Sequence, residues 1–195
     1  MKKLIIFLII LLTQTSGIYA ENLNEIERIV VGEKNAKITI IAYESLTCSH
    51  CANFHRDVYP ELKKDYLDTG LAKIEFRHFP LDIAAFNASK VSQCNNDGDS
   101  KILNSFYANQ QKWVKGSSVQ EANENLKKFL VSEGYNVDFE KCINDKEIED
   151  FVLNDRIDAV KKYKISSTPT IIINDEKFEK TLNYKNLKKA LEKLI

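Results

Sequence analysis

The chain has 195 residues with 28 Lys and Arg against 28 Asp and Glu, so its formal net charge is +0 and no global basic field marks it for nucleic acid. It has no internal repeat and no low-complexity linker, and with only 3 Pro and 6 Gly each of those residues carries positional information. Its length is that of one domain, or of one domain carrying an insertion.

Residues 1–20 read as an address. Lys2 and Lys3 precede an apolar run, 4–12, and a polar stretch closes on Ile18-Tyr19-Ala20 ahead of Glu21, the pattern of a cleavable secretory signal. The apolar run is too short for a bilayer crossing, which takes ~20 residues, although an uncleaved leader would act as a tether. No cysteine follows Ala20, which argues against a lipid-anchored lipoprotein. Removing the leader leaves about 175 residues and a formal charge of about −2. Export implies oxidising surroundings, where four cysteines are expected to pair.

The mature chain opens with a short edge strand at 29–31 and a turn at 32–35. Ile38-Thr39-Ile40-Ile41-Ala42-Tyr43 is a nearly continuous β-rich apolar run, as in a central strand buried on both faces. A helix over 52–67 follows, with Phe54, Val58, Leu62 and Tyr66 on one face, a kink expected at Pro60 and a stop at Gly70. Residues 71–79 alternate as a second strand, so strand, helix and strand form a right-handed parallel unit.

Four helical segments come next, at 82–96, 99–114, 118–133 and 145–163. Ser118 and Glu121 form a capping box for the third, and Gly134 ends it. Tyr107, Trp113 and Phe129 read as core residues. These segments form a helical insertion, 82–163. The sheet resumes at 170–174, turns at Asn174-Asp175-Glu176, and returns over 177–181. An amphipathic helix, 183–195, closes the chain through Leu187, Ala190, Leu191 and Leu194. The fold class is α/β.

Cys48-Ser49-His50-Cys51 sits between the buried strand and the first helix. Two thiols at this spacing can close a small disulfide ring. The free N–H groups and positive dipole end of the helix stabilise a thiolate at Cys48, while Cys51, one turn in, is shielded. That gives an attacking and a resolving sulfur. His50 can donate to the Cys48 thiolate or, protonated, pair with it, and either contact stabilises the reduced form. Each pKa unit taken from the attacking thiol is about 1.4 kcal/mol, or roughly 30 mV of potential for a two-electron couple. The bland alternatives are that CxxC is half of a zinc site completed by Cys94 and Cys142 or by His55 and His78, and that His50 is a solvated helix residue. His55 and His78 read as ordinary surface or packing histidines.

With Thr168-Pro169 just before the strand at 170–174, this order resembles the thioredoxin fold with an inserted helical domain. Ser45-Leu46-Thr47-Cys48-Ser49-His50-Cys51 with Phe54-His55, Phe76-Arg77-His78-Phe79-Pro80-Leu81-Asp82, and Ser166-Ser167-Thr168-Pro169-Thr170 resemble the DsbA-type thiol oxidases of α-proteobacteria over nearly the whole mature chain. The resemblance implies two parts, 21–81 with 164–195 as the thioredoxin-fold domain and 82–163 as the insertion. It implies that Pro169 is cis, with the Thr168 backbone beside Cys48 where an extended substrate pairs as an added strand, and with the Thr168 hydroxyl available to tune the thiolate. It also implies a structural Cys94–Cys142 disulfide, which would stabilise by roughly 4 kcal/mol in the chain-entropy model. The alternatives are a bond that tunes redox behaviour across the domain boundary, or two buried free thiols.

Two departures from the family pattern stand out. Ser49 replaces the usual Pro. Ala42 stands where many relatives carry a buried Glu six residues before the first cysteine, and Glu44 lies on the same strand parity. The expected function is that of an exported, periplasmic dithiol oxidase acting as a monomer, with no cofactor and no metal. Its substrates would be reduced exported proteins, with reoxidation by a membrane quinone reductase of the DsbB kind. A disulfide isomerase or reductase, and a zinc-stabilised secreted binding module, are the alternatives.

Overall fold

The computed structural model describes residues 26–96, 98 and 100–195; the expected leader lies outside the described residues. Strands β1 (Ile29–Gly32), β2 (Ile38–Glu44), β3 (Ala72–His78), β4 (Thr170–Ile173) and β5 (Glu176–Lys177) form one mixed sheet in the order β1-β3-β2-β4-β5. β2 and β3 run parallel, with Ile40 opposite Ile74, and the other pairs are antiparallel. A parallel pair needs a crossover, and the helical segment after Cys48 supplies it.

Alternation along β2 assigns its two faces. Ile38, Ile40 and Ala42 point into the main core with Cys51, Phe54 and Leu62. Ile41 and Tyr43 point to the other face and meet Phe79, Ala159, Ile165 and Ile172. Both faces are therefore buried, as the uninterrupted apolar run requires.

The crossover helix begins at Ser49, earlier than the apolar spacing indicates, because the cysteine loop itself is helical. α1 (Ser49–Asp57) breaks at Val58, whose φ of −121° is not helical. α2 (Tyr59–Leu62) restarts with Pro60 in its first turn, where the missing N–H has no partner to lose. A π-helical turn (Lys63–Leu67) completes it, closed by the Asp68 N–H on the Lys63 carbonyl at 2.9 Å. The expected kink is thus a break followed by a widened turn.

Between β3 and β4 lie α3 (Ile83–Cys94), α4 (Lys101–Ala108), α5 (Gln110–Trp113), α6 (Val119–Ser132), α7 (Phe139–Asn144) and α8 (Lys146–Tyr163). The helix expected over 99–114 is two helices, because Asn109 leaves helical geometry and turns its amide onto the Ser105 carbonyl at 3.0 Å. α7 has no counterpart in the sequence reading. Six residues are too few to show a period, and only its Asp138 cap, accepting from the Lys141 N–H at 3.1 Å, marks its start. The capping box at Ser118 is half formed. Ser118 accepts from the Glu121 N–H, but the Glu121 carboxylate takes the Ser117 N–H at 2.7 Å and its hydroxyl at 2.8 Å.

Ile102, Leu103, Phe106, Trp113, Leu126 and Phe129 continue the core of the sheet into these helices without a gap. α8 lies on the sheet's opposite face. Its Asp155, 1% exposed, accepts from the His78 N–H at 3.0 Å and from the Arg28 guanidinium at 2.5 Å. The β4–β5 hairpin turns on Asn174 and Asp175, both at positive φ, and β5 is shorter than expected, with one more ladder bond from the Phe178 N–H to Ile171. α9 (Tyr184–Leu191) ends the fold and stops short of the expected 195.

Candidate active site

The site is built where β2 hands the chain to α1. Ser45, fully buried, accepts from the Cys48 N–H through its carbonyl at 3.0 Å, and its hydroxyl accepts from the Leu81 N–H at 3.3 Å. Thr47 donates to the Asp82 carboxylate at 2.7 Å, which also caps α3. Gln110, at the start of α5, donates its side-chain amide to the Leu46 carbonyl at 2.7 Å and to the Cys48 carbonyl at 3.0 Å. The loop is therefore held from the sheet, from the start of α3 and from α5.

Cys48 occupies the N-cap of α1 with extended backbone (φ −77°, ψ 120°), half-buried, and Cys51 is fully buried one turn on. Both are free thiols. The Cys48 thiol is brought down from its ordinary value to about 5, first by a hydrogen bond from Cys51. Partial burial works against this, while the Thr168 side chain and the backbone N–H groups of Cys51 and His50 add to it. The helix start adds to the Cys51 contact, since amides without intrahelical partners converge on the sulfur. Cys51 is driven the opposite way. Burial raises its pKa most, and the Cys48 sulfur and the Glu44 carboxylate raise it further. One sulfur is poised as an anion and its neighbour is held protonated, the asymmetry that thiol–disulfide exchange needs.

Thr168 and Pro169 are joined by a cis peptide bond, and the Thr168 carbonyl lies 3.4 Å from Cys48 Sγ, within reach of the protonated thiol as donor. The Thr168 hydroxyl is buried and bonds no oxygen or nitrogen of the described protein. A cavity of about 500 Å³ opens beside them, lined among others by His50, Phe54, Thr168, Pro169, Leu182 and Tyr184. His50 is exposed on the first turn of α1, and the contact recorded between it and Cys48 is its backbone N–H.

Cys94 at the end of α3 and Cys142 in α7 are joined in a disulfide with Cα atoms 5.6 Å apart. His78 is buried against the Gln93 amide at 3.2 Å. His55 is buried and bonded through Nε2 to Glu44 Oε2 at 2.8 Å. The partners named for a zinc site with Cys48 and Cys51 are thus engaged elsewhere, and among the described residues no cluster of three or more metal-binding side chains forms.

Two residues of the site lie outside the sequence expectations: Gln110, and His55, expected as an ordinary packing or surface histidine. Gln110 left no signal, since its role depends on the break at Asn109. For His55 the signal was there: it lies four residues after Cys51, on the same helix face, opposite a strand acid of core-facing parity.

A mixed five-stranded sheet, a dithiol at the first helix N-terminus and a cis-proline beside it define a thioredoxin-fold dithiol protein. The thioredoxin family model matches residues 24–193, and the chain belongs to that family. Within it the similarity is to DsbA-type proteins. The crystal structure of Wolbachia pipientis alpha-DsbA1 superposes with a TM-score of 0.77 at 30% identity, covering 86% of this chain and 90% of that one. A Rickettsia bellii (strain RML369-C) protein, provisionally named a protein-disulfide oxidoreductase, is 28% identical over 85% of this chain. Disulfide bond formation protein D of Bacillus subtilis (strain 168) is 25% identical over 84% of this chain and 75% of its own length. The chain spans 64% of the Rickettsia relative.

Proposed function

We propose that this chain is an exported dithiol oxidase that introduces disulfide bonds into other proteins by exchange at Cys48 and Cys51. The observation that carries this reading is the opposed pair of thiols: a Cys48 pKa of about 5 beside a buried Cys51 held protonated. A low pKa stabilises the reduced form and so makes the disulfide the stronger oxidant. In the cycle, a substrate thiolate attacks Cys48 Sγ of the Cys48–Cys51 disulfide, forming a mixed disulfide and expelling Cys51. A second substrate thiolate attacks the substrate sulfur of that bond, and Cys48 leaves as a stabilised thiolate. Two electrons have passed to the enzyme.

The cavity by His50, Thr168 and Pro169 takes the substrate backbone, with the Thr168 peptide as the edge on which an extended chain aligns. In this reading 21–81 and 164–195 carry the exchange chemistry and 82–163 forms the covering insertion. The insertion closes with α8, whose inner face is shared with the sheet. Substrates are reduced exported proteins, a membrane quinone reductase of the DsbB kind restores the disulfide, and the protein works as a monomer in the periplasm, delivered by the leader at 1–20. Among the described residues no helix is long and apolar enough to cross a membrane.

The test is the equilibrium potential of the Cys48–Cys51 couple against glutathione, together with oxidation of a reduced, unfolded protein substrate. A potential well above thioredoxin's, about −270 mV, is expected. A value at or below that figure, without net oxidation of the substrate, would make the protein a reductase.

A further inference from the structure

Ser45 touches both cysteines and has no role in the cycle so far. It follows β2 directly, is fully buried, and opens a turn whose fourth residue is Cys48, closed by the Cys48 N–H on the Ser45 carbonyl at 3.0 Å. Its other peptide group serves the second sulfur. The Ser45 N–H is directed at Cys51, where burial and the Glu44 carboxylate both work against a charge. One residue therefore holds the attacking cysteine through its carbonyl and the resolving sulfur through its amide. Its side chain ties this arrangement to the turn between β3 and α3. Thr47 gives its hydroxyl proton to Asp82 at 2.7 Å, so in the 3.3 Å contact between the Ser45 and Thr47 hydroxyls Ser45 is the donor. The Ser45 oxygen in turn accepts from the Leu81 N–H at 3.3 Å. The result is a directed chain of hydrogen bonds, from Leu81 through Ser45 and Thr47 to Asp82, that leaves the turn and returns to it. The turn itself is anchored by the Asp155 carboxylate on the His78 N–H at 3.0 Å, by the Glu44 carbonyl on the Phe79 N–H at 2.7 Å, and by Arg156 on the Pro80 carbonyl.

We propose that Ser45 is a positioning residue of the dithiol, its hydroxyl fixing the backbone N–H that receives the Cys51 sulfur when the disulfide opens; this rests on the exchange cycle above. In that step a substrate thiolate bonds to Cys48 Sγ, the Cys48–Cys51 bond breaks, and its electron pair leaves on Cys51 Sγ. Cys51 is fully buried, so the charge forms out of reach of solvent. A dipole already aimed at the place where charge develops has no reorganisation to undergo. The Ser45 N–H is such a dipole, because the hydroxyl chain keeps its peptide from turning. In the reverse direction the same N–H steadies Cys51 as the attacking thiolate, which bonds to Cys48 Sγ while the other partner of the mixed disulfide departs with the electron pair. Cys48 depends on Ser45 less. Its sulfur is served by Cys51, by the Thr168 side chain and by the backbone N–H groups of Cys51 and His50. Loss of the Ser45 hydroxyl therefore falls on the step in which Cys51 carries the charge, and spares the attack by Cys48.

Reaction of the reduced protein with excess of the aryl disulfide dithiobis-nitrobenzoate separates the two steps. Cys48 attacks first, in a phase that scales with reagent and releases one nitrothiolate. Cys51 then attacks Cys48, in a phase independent of reagent, and releases the second. Ser45→Ala keeps the N–H and removes the chain that fixes it. In this variant the second phase is expected to slow on the order of tenfold, short of the roughly 100-fold cost of losing such a donor outright, while the first stays within about twofold of wild type. A second phase unchanged in Ser45→Ala overturns the proposal, and equal slowing of both phases overturns it too, by making Ser45 a support of the fold alone. Should Ser45→Ala not fold, Thr47→Val, which cuts the chain one link farther out, is judged by the same ratio of rates. The exchange reading fails separately, if the first phase of the wild type titrates as an ordinary thiol.

Discussion

Lowering the pH on the reduced protein tests the central asymmetry directly. Cys48 has a folded-state pKa of about 5, against roughly 8.5 for a free thiol in the unfolded chain. A depressed pKa contributes stability that is fully present above the unfolded value and is lost as pH falls through the folded one. Between pH 7.5 and pH 4 the reduced protein therefore loses at most about 3.4 kcal/mol from this group. Because the sulfur is half-exposed, solvent screening trims that to roughly 1.5–2 kcal/mol, equivalent to about 40 mV of potential. The raised Cys51 thiol stays neutral in both states across this window and adds nothing. The assay is urea unfolding of reduced and oxidised protein at a series of pH values, with Cys48→Ala as control. The reduced form should be the more stable one at pH 7.5, the gap should narrow steadily as pH falls from there and level off below about pH 5, and the control should show no such change. A gap that does not change across this range, or thiolate absorbance that titrates near 8.5, would refute the reasoning.

Replacing His50 by Ala should raise the Cys48 pKa by well under one unit, on the order of 0.5, because the backbone N–H that meets the sulfur remains; absorbance titration decides, and a rise of two units would return control to the imidazole. Gln110→Ala removes the donor shared by the Leu46 and Cys48 carbonyls and should destabilise by about 1–2 kcal/mol while raising the Cys48 pKa; Gln110→Glu, which sets a carboxylate against the same two oxygens, should do more on both counts. The double change Cys94→Ala, Cys142→Ala opens a loop of sequence separation 48 and should cost about 4 kcal/mol in the chain-entropy model, seen as a lower melting temperature. An unchanged melting temperature would remove the disulfide from the stability of α3 and α7.

The sheet could be read from the sequence because its strands are extreme. A run such as Ile38 to Tyr43 has few alternatives, and parallel pairing of β2 with β3 follows from the helix between them. The helices between β3 and β4 were harder, for local reasons. Asn109 ends α4 by claiming a carbonyl through its side chain, an option open to any helical Asn and taken only when tertiary contacts favour it. α7 is shorter than two turns, so it cannot display a periodicity, and its stability comes from the buried Cys142 and Phe139 rather than from its own sequence.

At the dithiol the division between what could be read and what could not runs along the same physical line. Cys48 and Cys51 are visible because their placing follows from residue type and chain position, a thiol at a helix start and another one turn in, whereas the placing of Thr168 and Pro169 beside them is what the family resemblance implies. Glu44, His55 and Gln110 act through whatever the fold sets opposite them. An acid at position 44 lies on the same face of β2 as one at 42 would, because side-chain direction repeats every two residues, but about 7 Å farther along the strand. At that point it no longer lies beneath the middle of the sheet but opposite the second turn of α1, where His55 meets it at 2.8 Å. Ala42, fully buried, is packed into the apolar core instead. A carboxylate at 42 would therefore have to reach the same imidazole from farther back, so the position of the acid and the identity of residue 55 are one feature and should be altered together. Moving the acid to 42 in an Ala42→Glu, Glu44→Ala chain should leave His55 without its partner and set a carboxylate in the apolar core around Ala42, and should be seen as a lower melting temperature.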